Sequence, residues 1–216
     1  IIINTSEDEY KFRQKHFAPA TQGNREAILE VLLQVLPANG TFSEIASGTG
    51  EHAVFFAPHL APRKWLPYDP QPILHNSIAA WSEEFKSDNL YPPIEDAQLP
   101  TWPVDKDTLS NSPIAAIVNI NMIHISPWSA CLGLMAGAGQ ILPPGGIRTY
   151  IGPYKQNRQH TAPSNEAFGE SLQSQNPEWG VRNLEDLVKA AKAENLTLEK
   201  IYQMPTNNLS LVLKHN

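Results

Sequence analysis

Cys131 is the single cysteine of the 216 residues, so no disulfide can form within the chain. Its isolation fits a reducing compartment, and a cytoplasmic location is expected. No apolar run approaches the roughly 18 residues of a membrane span, so no membrane partner is expected. Ile1-Ile-Ile3 is too short for a signal peptide and leads into acids. The chain opens on Ile1 rather than Met, which leads to the expectation that the natural N-terminus is missing. Basic residues are scarce: 16 Lys and Arg stand against 22 Asp and Glu, for a formal charge of −6. That balance leaves no cationic footprint for nucleic acid. Lys11, Arg13 and Lys15 do not make a basic arm either, because Glu7, Asp8 and Glu9 dilute them. Zinc-like spacing of histidine and cysteine is absent, so no metal is expected. There is no internal repeat and no low-complexity tract.

What is present is the composition of a globular domain, 41% hydrophobic and 18% charged, in a length that favours one core. Nineteen prolines are spread along the chain and mark tight turns, with pairs at Pro92-Pro93 and Pro143-Pro144. The expected organisation is a polar arm over 1–22 and a single domain over 23–216.

The centre of that domain is Thr41-Phe-Ser-Glu-Ile-Ala-Ser-Gly-Thr-Gly-Glu-His52. Thr41, Phe42 and Ile45 suit a strand, Gly48-Thr-Gly50 a sharp turn, and Glu51 to Ala57 a helix. Strand, glycine turn and helix form the first half of a nucleotide-binding βαβ unit. Glycine lets the backbone turn and a ligand approach without a Cβ in the way. The helix N-terminus adds free N–H groups and partial positive charge. Glu44 narrows the ligand, since a carboxylate at the end of a buried strand is costly without a partner. Nicotinamide-binding loops usually carry an apolar residue there, whereas S-adenosylmethionine brings a cationic ammonium to that point.

Along the chain, Asn24 is a candidate cap for a helix carrying Ile28, Leu32 and Leu36 on its apolar side. Trp65 to Asp69 reads as a second strand, in which Pro67 calls for a bulge. Gln71 to Phe85 has helical spacing. Leu90 to Asp96 reads as a weak edge strand. Ile114 to Asn121 is a continuous apolar run, as a strand covered on both faces requires. Trp128 to Gly139 is a helix of small residues, Ile147 to Gly152 a fifth strand, and Leu184 to Ala193 a helix with Asn183 as a possible cap. Leu196–Tyr202 and Leu209–Leu213 are separated by too little chain for a parallel crossover, so they pair antiparallel. The expected fold is α/β: a Rossmann-like class I methyltransferase fold, its mostly parallel sheet closed by a C-terminal antiparallel hairpin.

Three acids fall at strand ends, Glu44, Asp69 and Asp96, and strand ends in an open α/β sheet line the ligand crevice. Asp69 stands where an acid accepts ribose hydroxyls. Asp96, followed by Ala97, is placed to accept from an adenine amino group, and Asn119 and Asn121 end the fourth strand. Taken singly, each has a plainer reading as a solvated turn acid or a turn cap; their joint order along one βαβ array carries the inference. Gly48, Gly50 and Ala53 with Asp69 also leave an NAD(P)-dependent oxidoreductase open. A protein that binds S-adenosylmethionine without turnover is a further alternative.

Glu44-Ile-Ala-Ser-Gly-Thr-Gly-Glu-His52 resembles a family of S-adenosylmethionine-dependent methyltransferase-like proteins, methyltransferase-like protein 26 and its bacterial relatives. Asn24-Arg-Glu26, Asn119-Ile-Asn-Met-Ile-His-Ile-Ser-Pro-Trp128, Gly152-Pro-Tyr-Lys155, His160-Thr-Ala-Pro-Ser-Asn165 and Met204-Pro205 extend the likeness from about residue 18 to the end. The resemblance implies a class I methyltransferase fold and S-adenosyl-L-methionine as cofactor, with a small-molecule methyl acceptor expected. The candidate cofactor-binding set is Arg25, Glu44, Ala46, Ser47, Gly48, Gly50, His52, Asp69, Pro70, Asp96, Ala97, Asn119, Asn121 and Met122. The candidate catalytic set is His124 and His160 as bases, with Tyr154, alongside Lys155, to position the acceptor. The polar segment from Gly152 to Trp179 is expected to close over the acceptor. The Asn-Pro-Pro-Tyr pattern of amino-group methylation on bases is absent; Asn121-Met-Ile-His124 occupies its place.

Overall fold

The structure is a computed structural model that describes residues 14–93 and 113–216. Its main sheet has six strands: β1 (Thr41–Ile45), β2 (Lys64–Tyr68), β3 (Ile114–Ile120), β4 (Ile147–Gly152), β8 (Leu196–Met204) and β9 (Asn208–His215). They lie in the order β2-β1-β3-β4-β9-β8. The first four are mutually parallel, while β9 pairs antiparallel with both β4 and β8. β1 and β3 are neighbours, yet the chain leaves β1 to form β2 on its other side. That reversal of direction opens a crevice above the carboxyl ends of β1 and β3.

Hydrophobic patterning explains the layers. The seven residues of β3 are nearly all buried because helices cover both faces of the sheet. One face packs α1 (Pro19–Val35) and α2 (Glu51–Leu60) through Ile28, Leu32, Phe56 and Leu60 onto Phe42, Trp65 and Val118. The other packs α4 (Trp128–Ile141) and α6 (Leu184–Ala193) through Leu134, Met135 and Leu187 onto Ile117, Tyr150 and Leu211. Gly139 permits that packing: a Cβ there would lie 2.9 Å from the Glu194 carbonyl oxygen. α3 (Pro72–Glu84) follows β2. A second sheet of three short strands, β6-β5-β7, comprises β5 (Tyr154–Gln156), β6 (Gln159–His160) and β7 (Arg182–Asn183), with α5 (Pro163–Gln175) between β6 and β7.

Three local expectations change. α1 starts at Pro19, so it runs through the boundary expected between residues 22 and 23, and Asn24 lies inside the helix rather than at its cap. Proline at the first helical position sets φ and wastes no donor. Pro67 needs no bulge, because β1 and β2 stay in register past it, Glu44 facing Pro67. Among the described residues β2 is an edge strand at that level: only Trp65 pairs outward, in a single bridge to Leu90. That bridge is the described part of the edge strand expected over Leu90–Asp96.

Candidate functional site

The polypeptide leaves β1 through a turn of left-handed residues: Ala46 at φ 58°, Gly48 at 59° and Gly50 at 93°. Gly50 is required on two counts, since a Cβ there would also meet the Ile78 Cα at 2.8 Å, where α3 crosses the turn. A Cβ on Gly48 would meet nothing within 4 Å, which leaves its backbone open to a ligand. The Asp69 carboxylate braces the turn from the end of β2, accepting from Gly48 N at 2.9 Å and from Gln71 N at 3.0 Å. Ser47 ties the two strand ends together: its N–H donates to the Tyr68 carbonyl at 2.8 Å, and its hydroxyl accepts from Tyr68 N.

Above this turn lies a cavity of about 450 Å³. Its floor includes Glu44, Ala46, Ser47, Gly48, Asp69 and Pro70, with Asn121 and Met122 from beyond β3 and His52 from α2. Much of the candidate set thus lines one cavity. Ile45, Leu74, Ile120, Ile125 and Ala130 supply apolar wall. Such a cavity, mostly apolar with a few convergent polar groups, has the size of a small-molecule site.

Glu44 is almost fully buried and accepts from the Trp65 indole Nε1 at 3.0 Å. Burial pushes its carboxyl up to about 7; the indole and Ser47 pull it down, and the nearby Asp69 adds to the rise. Burial also raises Asp69, against the pull of the Gln71 and Gly48 N–H groups. His52 hydrogen-bonds Asn24 Oδ1 at 2.9 Å and stacks on Phe56. Burial lowers its imidazole to about 4, with Arg25 adding to the fall, so the ring is neutral near pH 7.

Several expected residues lie elsewhere. Arg25 stacks over the Phe55 ring and bonds Glu26, and it does not line the cavity. Gly50 shapes the turn from beneath. Asn119 donates to the Ile45 carbonyl at 2.9 Å, tying β1 to β3 below the cavity floor. His124 is buried behind Asn121, its ring edge-on to Phe168, and burial lowers it to about 4. Tyr154 does not reach the cavity: alternation along β5 turns it into the core, where burial raises its hydroxyl well above the usual range. His160 packs against Gly169 of α5. Asp96 and Ala97 lie outside the described residues. The Gly152–Trp179 segment lines no part of this cavity; Asn165 instead binds the Asn207 carbonyl at the turn of the C-terminal hairpin.

Sequence reasoning missed the roof. Ala18, Ala20 and Thr21, at the start of α1, line the cavity. The chain before them is strapped down: Ala18 N donates to Glu51 Oε2, His16 N to Ser77 Oγ, and the Trp81 indole to the His16 carbonyl. These partners are 33 to 65 residues away, so no local pattern announces them. Ser126 was also missed; its hydroxyl is buried at the cavity wall without a hydrogen-bond partner.

Solved methyltransferases share the architecture. An O-methyltransferase family 2 protein from Planctomyces limnophilus, solved in complex with apigenin, matches with a TM-score of 0.76 at 17% identity over 97% of this chain and 62% of its own. An O-methyltransferase family protein from Burkholderia thailandensis gives 0.72 at 10% identity over 91% and 56%. CalO1, a methyltransferase in calicheamicin biosynthesis solved in its SAH-bound form, gives 0.68 at 13% identity over 88% and 54%. The chain thus spans 54–62% of these neighbours' lengths, and what they share with it is the fold. In sequence, residues 15–215 match the family described as "Protein of unknown function (DUF938)", so the chain belongs to the DUF938 family.

Proposed function

We propose that the cavity binds S-adenosylmethionine and that the protein transfers the methyl group to a small molecule, as the resemblance to methyltransferase-like protein 26 implies. The observation that carries this reading is the pair of buried carboxylates, Glu44 and Asp69, at neighbouring strand ends on either side of a bare left-handed turn. A carboxyl pushed up to about 7 by burial gains most from a cationic ligand, whose charge replaces the lost water. The Asp69 carboxylate already accepts two N–H groups and has acceptor sites left for ribose hydroxyls. The fold likeness to proteins solved with apigenin and with SAH supports the same reading and suggests a small acceptor.

When bound, the cofactor supplies a methyl carbon already activated by a sulfonium. The chain's contribution is alignment and exclusion of water. Glu44 and Asp69 hold the two polar ends of the ligand, and Gly48 admits it closely. Asn121, held at φ 56° with its N–H on the Ile151 carbonyl, and Met122 border the space beyond β3 where an acceptor enters. His124 contributes by holding that segment from behind.

Thermal-shift measurements with S-adenosylmethionine, SAH and NAD test the binding, and mass-spectrometric screening of metabolite pools tests turnover. Protection by the first two and not by NAD is expected, with a gain of one methyl in a small metabolite. Protection by NAD alone sinks the proposal. Binding without turnover is the second reading, favoured by the placement of Tyr154 and His160 away from the cavity. Protection by SAH with no methylated product in the screen selects it.

A further inference from the structure

A second cavity, of about 490 Å³, opens on the other side of the Ile123–Trp128 segment. Lys155 of β5, Arg158 of the β5–β6 turn and Arg182 of β7 line it, with Asp186 as the one carboxylate among its lining residues. Three cations against one acid make this a positive pocket in a chain of net charge −6.

The Arg182 guanidinium and the backbone that carries Lys155 and Arg158 are held there by their surroundings. Alternation along β5 buries Tyr154 and turns Lys155 to the cavity. Asn157 and Arg158 are both left-handed, at φ 51° and 64°, and the turn is fastened to the chain opposite: Asn157 N donates to Glu185 Oε1 and Arg158 N to Asn183 Oδ1. Glu185 is thereby engaged by backbone rather than by a cation. Arg182 donates to the carbonyls of Ile123, Ser126 and Glu178 and lies over the Trp128 ring. Carbonyl oxygens fix a guanidinium without neutralising it. None of the three cations forms an ion pair with a carboxylate among the described residues. Gathering like charges without a counterion costs free energy, and an anion in the pocket recovers it.

We propose that this cavity is a binding site for a small oxyanion-bearing ligand, held through its phosphate or carboxylate groups by Lys155, Arg158 and Arg182. The site stands independently of the methyl-transfer reading. Ser126 links the two cavities: it lines the first, while its carbonyl holds Arg182 of the second.

Calorimetric titrations at constant ionic strength test this with two probes, inorganic pyrophosphate and citrate, on the full chain. Wild type is expected to give saturable binding to at least one, and the tighter probe identifies phosphate or carboxylate as the recognised group. The Lys155→Gln/Arg158→Gln variant, which keeps every backbone hydrogen bond of the turn, is expected to weaken that binding at least tenfold. Asp186→Asn, which removes the opposing carboxylate, is expected to tighten it several-fold. Far-ultraviolet circular dichroism checks that both variants fold. Absence of saturable binding of either probe to wild type overturns the proposal, and so does unchanged affinity in the double variant. Since SAH binding is measured separately, failure here leaves the first cavity's assignment untouched.

Discussion

The two cavities differ in charge and in how they are built. The first is carboxylate-lined and assembled largely from consecutive βα turns, so most of its residues cluster at 44–52, 68–74 and 120–130, with 18–21 covering them from the start of α1. The second is cationic and draws on Trp128, Lys155, Arg158, Gln173 and the 180–186 stretch. In the first, strand ends and a left-handed turn dictate where each group points. In the second, a small sheet appended to the main one does so, fastened by side chain to backbone hydrogen bonds. Charge of opposite sign is thus gathered in two cavities that both draw on the short Ile123–Trp128 segment.

The largest effect should come from breaking the turn of the first cavity. Gly50→Ala combines a disfavoured φ with a clash on α3, at a cost of about 3 kcal/mol. Gly48→Ala, with open space around it, should cost only about 1 kcal/mol. Urea denaturation of the two variants checks this ordering, and equal losses would contradict the packing described at Ile78.

Next comes the charge of Glu44. Its folded pKa, about 7, lies above the ordinary 4.5, so the folded state holds a proton that the unfolded chain releases. The associated stability is fully present below about pH 4.5 and is lost as pH rises through about 7. The change is on the order of 3 kcal/mol. Glu44→Gln should remove that slope from the pH dependence of unfolding, and a slope identical in both proteins would show that another group carries it.

Arg182→Ala sharpens the comparison, because Arg182 braces the wall shared by both cavities. Loss of its carbonyl contacts should cost about 1–3 kcal/mol. Ligand titrations should then show weaker binding in both cavities, whereas Lys155→Gln should affect only the second. Smallest is Glu51→Gln, which weakens the acceptor for Ala18 N and Thr49 Oγ1. A cost of about 1 kcal/mol is expected, together with faster amide exchange at residues 16–21.

The parallel sheet and its closing hairpin were legible because β3 is a continuous apolar run and because Leu196–Tyr202 and Leu209–Leu213 stand too close for a crossover. Glu44, Gly48 and Asp69 were legible because their spacing follows from one βαβ unit. What was not legible depends on long-range contact. Asn24 has the sequence look of a helix cap, yet its partner is His52, brought alongside by the packing of α1 on α2. Tyr154 and Lys155 are adjacent polar residues in the sequence, and only strand alternation sends one into the core and the other to a cavity. His160 and Asn165 pointed to an acceptor lid because polar residues cluster there; in the fold they brace α5 and the hairpin turn.

Proton release on binding SAH at pH 7, measured by calorimetry in buffers of different ionisation enthalpy, tests the central claim most directly. The ammonium of SAH should drive the Glu44 carboxyl, pushed up to about 7, into its charged form. Wild type should therefore bind with release of a fraction of a proton. Glu44→Gln should bind at least tenfold more weakly, with that release gone. Absence of binding to wild type, or equal affinity and equal proton release in the two proteins, would contradict the account.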